Sequence, residues 1–153
     1  RDSQVGDYVC ETIGYNDIND FGYGSYIEPG IQNQFAEKNT EFKVEYINNR
    51  QEWDDLTKSN KIIVCDFTAT WCGPCKMIGP KFVKLSQNYS DNLKVEFLKI
   101  DVDKNEEVAA LCEIECMPTF QVWYNGKKLE TWTGASSENL KLIQQKIESI
   151  LKQ

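Results

Sequence analysis

The chain of 153 residues contains no histidine. That removes the one side chain whose ordinary pKa lies near neutrality, so proton chemistry at pH 7 must come from a thiol or carboxyl with a shifted pKa. Long apolar runs are also missing. None approaches the roughly 20 residues that a membrane-crossing helix needs. A basic surplus is missing as well: 24 acidic residues face 17 Lys and Arg, a net charge of −7. Nucleic acid binding depends on cationic side chains that displace phosphate counterions. Anionic membranes likewise call for a basic patch. Neither partner is expected. Proline is scarce, at four residues, and methionine scarcer, at two.

What is present suits one domain, or one domain with an appendage. Apolar residues make up 41% of the chain, including four tryptophans, enough for a real core. The acidity is uneven. Residues 1–41 hold eight acidic and two basic residues, a net −6, and residues 42–153 carry the remaining −1. The first 40 residues also hold five of the nine glycines and four of the seven tyrosines, with no sustained periodicity. Pro29-Gly30 marks a turn, and 31–38 could form a short helix. The aromatics Tyr8, Tyr15, Phe21, Tyr23, Tyr26 and Phe35 could anchor this otherwise irregular segment to a surface. We therefore divide the chain into an acidic extension, 1–41, and a compact domain, 42–153.

From residue 42 the pattern becomes regular. Alternation predicts a strand over 42–47 and a helix follows over 51–59. The continuous apolar run 61–67 predicts a strand covered on both faces. Helices are expected at 72–88, with Pro80 inside as a kink, and at 104–112. A third strand is expected at 93–100. Strands 119–124 and 128–133 flank Asn125-Gly126, a strong hairpin signal. An amphipathic helix over 136–151 places Leu140, Ile143 and Ile147 on one face. The order β-α-β-α-β-α-β-β-α implies an α/β fold, a mixed central sheet flanked by helices.

Six cysteines stand at 10, 65, 72, 75, 112 and 116. Three structural bridges are one reading, but a chain of this length and apolar content does not need such staples. Cys65 lies inside the apolar strand, where a free thiol acts as a small apolar side chain. Trp71-Cys72-Gly73-Pro74-Cys75 follows that strand and opens a helical run. A Cys-x-x-Cys at a strand-to-helix junction reads as a redox motif. Asp66, in the same strand, is costly to charge there, so its pKa should rise toward neutrality and suit it to general base work.

The element order and the motifs together resemble the thioredoxin family over 42–153. They are Val64-Cys65-Asp66-Phe67, Trp71 to Lys76, Met117-Pro118-Thr119, Asn125-Gly126 and Gly134-Ala135. Phe67 to Trp71, with Cys112 and Cys116 ahead of Met117-Pro118, resemble the animal cytosolic type. The resemblance implies a thioredoxin fold and a protein-disulfide reductase acting as a dithiol electron carrier through a redox-active Cys72–Cys75 disulfide. Cys72 would be the nucleophile, its thiolate favoured by the N–H groups and dipole of the helix start. Cys75 would resolve the mixed disulfide, one helical turn inward and less exposed. Asp66 would lie beneath the disulfide as the base. Pro118 would have a cis bond to Met117, and its loop would take the substrate chain as an added strand. Trp71, Gly73, Pro74, Met117, Thr119, Gly134 and Ala135 would complete the docking platform.

One departure concerns Asp66. Bacterial members place a lysine near the buried acid, and the aligned residue here is Phe97, so its proton affinity should differ. Cys116, close to Pro118, is a candidate regulatory thiol and a route to a dimer of an otherwise monomeric protein. Cys112 reads as a buried helix cysteine, and Cys10 as incidental. Four thiolates at 72, 75, 112 and 116 could suggest zinc, but the long interval and the missing histidine favour redox chemistry with no metal. Asp101 and Asp103 read as solvated.

The resemblance further implies no bound cofactor, with recharging by an NADPH-dependent thioredoxin reductase. Protein disulfides would be the substrates. The location would be cytoplasmic, or organellar or secreted if a leader precedes Arg1. A competing reading is a partner subunit or scaffold of the same fold that uses the acidic extension to bind proteins. An oxidising, isomerase-type role is a third, disfavoured because such sites usually carry histidine in the spacer.

Overall fold

The computed structural model describes residues 9–10 and 44–153. The expected short helix at 31–38 and most of the acidic extension lie outside those residues. The elements run β1 (Glu45–Tyr46), α1 (Arg50–Lys58), β2 (Ile62–Thr68), α2 (Gly73–Gln87), β3 (Val95–Asp101), α3 (Glu106–Leu111), β4 (Thr119–Tyr124), β5 (Lys127–Thr133) and α4 (Ser137–Leu151). This is the expected order, with boundaries moved by one or two residues at most elements. The five strands form one sheet in the order β1-β3-β2-β4-β5. β1 and β2 pair parallel to β3, whereas β4 pairs antiparallel to both β2 and β5. The architecture is the thioredoxin fold.

Strand β2 is central, and its side chains alternate between two cores. Ile62 and Val64 face a cluster with Ile78, Phe82 and Leu85 of α2 and with Leu140, Ile143, Ile147 and Ile150 of α4. Ile63, Cys65 and Phe67 face a second cluster with Trp53 of α1 and Val108 and Ala109 of α3. Burial on both faces is why β2 reads as an unbroken apolar run. The spacing of three and four along α4 builds its buried stripe. Each helix start is capped locally. Asn49 Oδ1 accepts from the Glu52 N–H at 2.9 Å, and Ser136 Oγ accepts from the Glu138 N–H at 3.1 Å.

The hairpin forms where the dipeptide chemistry demanded it. Asn125 and Gly126 have φ of 54° and 74°, the left-handed pair of a tight primed turn. The end of β2 and the start of β4 lie side by side, with Phe67 opposite Thr119. That register carries the loop before β4 to the end of the sheet where α2 begins.

Candidate active site

Cys72 stands just outside the first turn of α2, with extended backbone, as its cap. Its Sγ receives the Cys75 backbone N–H at 3.2 Å. A sulfur in that position meets the unpaired N–H groups and positive dipole end of the helix, which favour an anion. Pro74 sits in the first turn, where its missing N–H costs nothing. Cys72 and Cys75 are joined as a disulfide. Gly73 borders open ground: a Cβ built there meets nothing within 4 Å. At Gly73 the spacer therefore presents no side chain to an approaching chain.

Facing this disulfide is the loop before β4. The Met117–Pro118 peptide bond is cis, as the resemblance implied. Met117 belongs to the same apolar cluster as Cys72 and Cys75, so the loop and the disulfide share one core. The Gly134 N–H donates to the Pro118 carbonyl at 2.9 Å, and Gly134 takes a φ of 97° that few residues other than glycine adopt. Thr119 Oγ1 donates to the Cys116 carbonyl at 2.7 Å. Buried Ala135 adjoins this turn. Thr119 pairs with Phe67 on one side and Thr133 on the other, so the loops that follow β2, precede β4 and follow β5 lie at one end of the sheet.

Trp71 is 45% exposed at the rim. Its indole N–H donates to Asp103 Oδ2 at 2.8 Å. Behind it, Asp101 Oδ1 accepts from the backbone N–H of Asp103 at 2.9 Å. The expectation that both acids are simply solvated is corrected. Asp101 is buried and folds the turn, and Asp103 fixes the tryptophan. Sequence reasoning missed this pair because the two partners are 32 positions apart.

Asp66 is buried, and its Oδ1 has no hydrogen-bond partner. Loss of hydration raises its pKa to about 7, against an opposing pull from the Lys99 ammonium. The expectation built on Phe97 needs amendment here. Phe97 lies opposite Val64 and packs edge-on against Phe82 at 5.4 Å. The residue opposite Asp66 is Lys99, two positions further along β3 and so on the same face. A cation does act on the acid, from a different rung of the ladder.

Two cysteine expectations also change. Cys75 is not the less exposed of the pair: Cys72 is 0% exposed and Cys75 4%. Val9 packs against the cluster that holds both. Cys10 is not incidental. It forms a disulfide with Cys116, so the sulfur considered for a dimer is engaged within the chain. Cys65 and Cys112 are free and buried. Among the described residues, no three His, Cys, Asp or Glu side chains gather as a metal site.

A disulfide at a helix start, in one apolar cluster with Met117 of a cis-proline loop and preceded by a strand that carries a buried acid, defines a thiol–disulfide oxidoreductase. The family model for thioredoxin matches residues 43–149. The chain belongs to the thioredoxin family. It is 46% identical to thioredoxin of Equus caballus over 99 residues, which are 63% of this chain and 91% of that protein. The structure of Plasmodium falciparum thioredoxin superposes with a TM-score of 0.63 at 38% identity, covering 67% of this chain and 98% of that one. A chain from a structure on the thiol-resolving mechanism of a yeast mitochondrial 1-Cys peroxiredoxin, via glutathione and thioredoxin systems, superposes at 0.59. It is 39% identical and covers 65% of this chain and 91% of that one. The protein is accordingly a thioredoxin-type protein-disulfide reductase, of a family that acts on protein disulfides and needs no bound cofactor.

Proposed function

We propose that Cys72 is the attacking sulfur, Cys75 the resolving one and Asp66 the proton acceptor between them. The observation that carries this reading is the Cys72–Cys75 disulfide at the α2 start, in one cluster with Met117 of the cis-proline loop. In the reduced protein the Cys72 thiolate attacks a substrate disulfide. One S–S bond breaks, one forms, and a substrate thiolate leaves. Cys75 gives up its proton toward Asp66 and attacks Cys72 Sγ. The second substrate thiolate leaves, and two electrons have passed to the substrate. An acid with a pKa of about 7 can take and return that proton near neutral pH.

On this reading the substrate chain lies along Met117-Pro118-Thr119, flanked by Trp71, Gly73, Pro74, Gly134 and Ala135. An NADPH-dependent thioredoxin reductase returns the disulfide to the dithiol. The peroxiredoxin context of one relative supports partners that themselves carry reactive thiols. We assign residues 1–41 as an appendage to a monomeric domain working in the cytoplasm, where thiol pools keep dithiols available.

The test is insulin disulfide reduction driven by NADPH and a thioredoxin reductase. Turnover that disappears in Cys72→Ser supports the assignment, and Cys75→Ser should accumulate a mixed disulfide with the substrate. Absence of turnover in folded, fully reduced wild type would sink it.

A further inference from the structure

The loop that the proposed function gives to substrate is already occupied. Val9 forms a parallel β-bridge with Met117. The Cys10 N–H donates to the Met117 carbonyl at 2.8 Å. Cys10 Sγ lies 3.1 Å from the Pro118 carbonyl oxygen and 3.9 Å from Thr119 Oγ1. The same sulfur is bonded to Cys116, next to the cis bond. At this edge Cys10 is 3% exposed and Pro118 is buried. A backbone edge is recognised mainly through its hydrogen bonds, and here one carbonyl of that edge is spent on the chain's own N–H.

We propose that Cys10–Cys116 is a second redox-active pair, and that the Val9-Cys10 segment is an internal occupant of the substrate edge, held there while the pair is oxidised. This rests on the reading of Met117-Pro118 as the docking edge. Tethering within one chain alone would raise the segment's local concentration at this edge. The disulfide goes further and prevents the segment from leaving. Opening requires a dithiol reductant. Cys116 is the half-buried sulfur of the pair and Cys10 the buried one, so attack falls on Cys116. The reductant's thiolate bonds to Cys116 Sγ and the Cys10 thiolate leaves. The reductant's second thiol then attacks its own bonded sulfur and releases Cys116. One disulfide is made for the one consumed, two electrons enter the pair, and each freed thiolate takes a proton according to pH. The segment then holds only its bridge to Met117 and can yield to a substrate.

The Plasmodium falciparum relative is covered to 98% by 67% of this chain, so close counterparts fold without a long extension. Cys10→Ser is therefore a suitable variant, and Cys10 takes no part in the proposed exchange with substrate. The full chain is oxidised, freed of reductant and digested without reduction. Mass spectrometry should find the Cys10 peptide linked to the Cys116 peptide. The oxidised protein is then supplied with NADPH, a thioredoxin reductase and insulin. Wild type should start roughly tenfold or more below Cys10→Ser, a difference equal to about 1.4 kcal/mol per decade. It should accelerate to the variant's rate as the linked peptides disappear. Unlinked peptides, or linked peptides with equal initial rates, would overturn the latch while leaving the reductase reading intact. Inactivity of both proteins would remove the reductase reading and the latch with it.

Discussion

Asp66 on β2 stands directly opposite Lys99 on β3, a buried acid facing a cation across one rung of a parallel ladder. Burial raises the acid's pKa to about 7 and Lys99 holds it below where burial alone would put it. The consequence for stability has a definite sign. The folded state binds a proton that the unfolded chain, with an ordinary carboxyl at 3.8, has already released. The contribution of Asp66 is therefore fully present below about pH 4 and is lost as pH rises through 7. A gap of about three pKa units corresponds to a few kcal/mol, on the order of 4. Asp66→Asn should remove this slope. Urea unfolding of the oxidised proteins should find the two alike near pH 4 and the variant more stable at pH 8. A wild type that gains stability between pH 5 and 8 relative to the variant would contradict it.

The same pair makes a kinetic prediction. Removing the Lys99 charge in Lys99→Met takes away the one opposing influence on the acid, so its pKa must move further up. The pH dependence of insulin reduction should shift its rising limb toward alkaline pH, with a slower rate at pH 7 and recovery at higher pH. Lys99→Arg keeps the charge and should restore the wild-type profile. A mere structural defect would lower the rate at all pH values and would not be rescued by arginine.

How legible these features were follows from how local their causes are. The hairpin at Asn125-Gly126 could be placed to the residue because two adjacent side chains dictate its backbone. Strand β2 and helix α4 were equally clear, because burial imprints its period on the sequence. The Cys72–Cys75 pair and Asp66 sit within ten positions of one another on a strand-to-helix unit, so their association needed no knowledge of register. Lys99 did need it. Two residues on one face of β3, Phe97 and Lys99, could each face the acid, and only the pairing of β3 with β2 decides between them. Cys10–Cys116 lay furthest from reach. A bond closing 106 positions leaves no periodic trace, and nothing near Cys10 marks its partner.

Trp71 gives a prediction about substrate binding. Its indole is the large exposed aromatic at the rim and is held by Asp103. Asp103→Ala deletes the acceptor while leaving the cysteines and the acid untouched. A hydrogen bond of this kind contributes about 1 kcal/mol, so KM for a protein disulfide should rise roughly fivefold while kcat changes little. Trp71→Ala in the same background should add little further loss, because the two residues act as one unit. Independent, additive losses would separate them.

The two free thiols supply the last prediction. Cys65 is fully buried in β2, and burial pushes its pKa well above the ordinary thiol value. Cys112 closes the end of α3, and burial pushes its pKa up to about 12, with the Lys128 and Arg50 cations only partly offsetting the rise. Only the thiolate reacts with alkylating agents, and both groups hold almost none at pH 8. The other four cysteines are paired in the oxidised protein. Native oxidised protein treated with iodoacetamide at pH 8 should therefore take up essentially no label in the first minutes. After reduction under native conditions, label should enter at 72, 75, 10 and 116, with Cys72 the fastest because its sulfur sits at the helix start. Cys65 and Cys112 should label only once urea unfolds the domain. Rapid native labelling of Cys112 would mean that the end of α3 opens readily, and rapid labelling of Cys10 before any reductant is added would mean that its bond to Cys116 does not form.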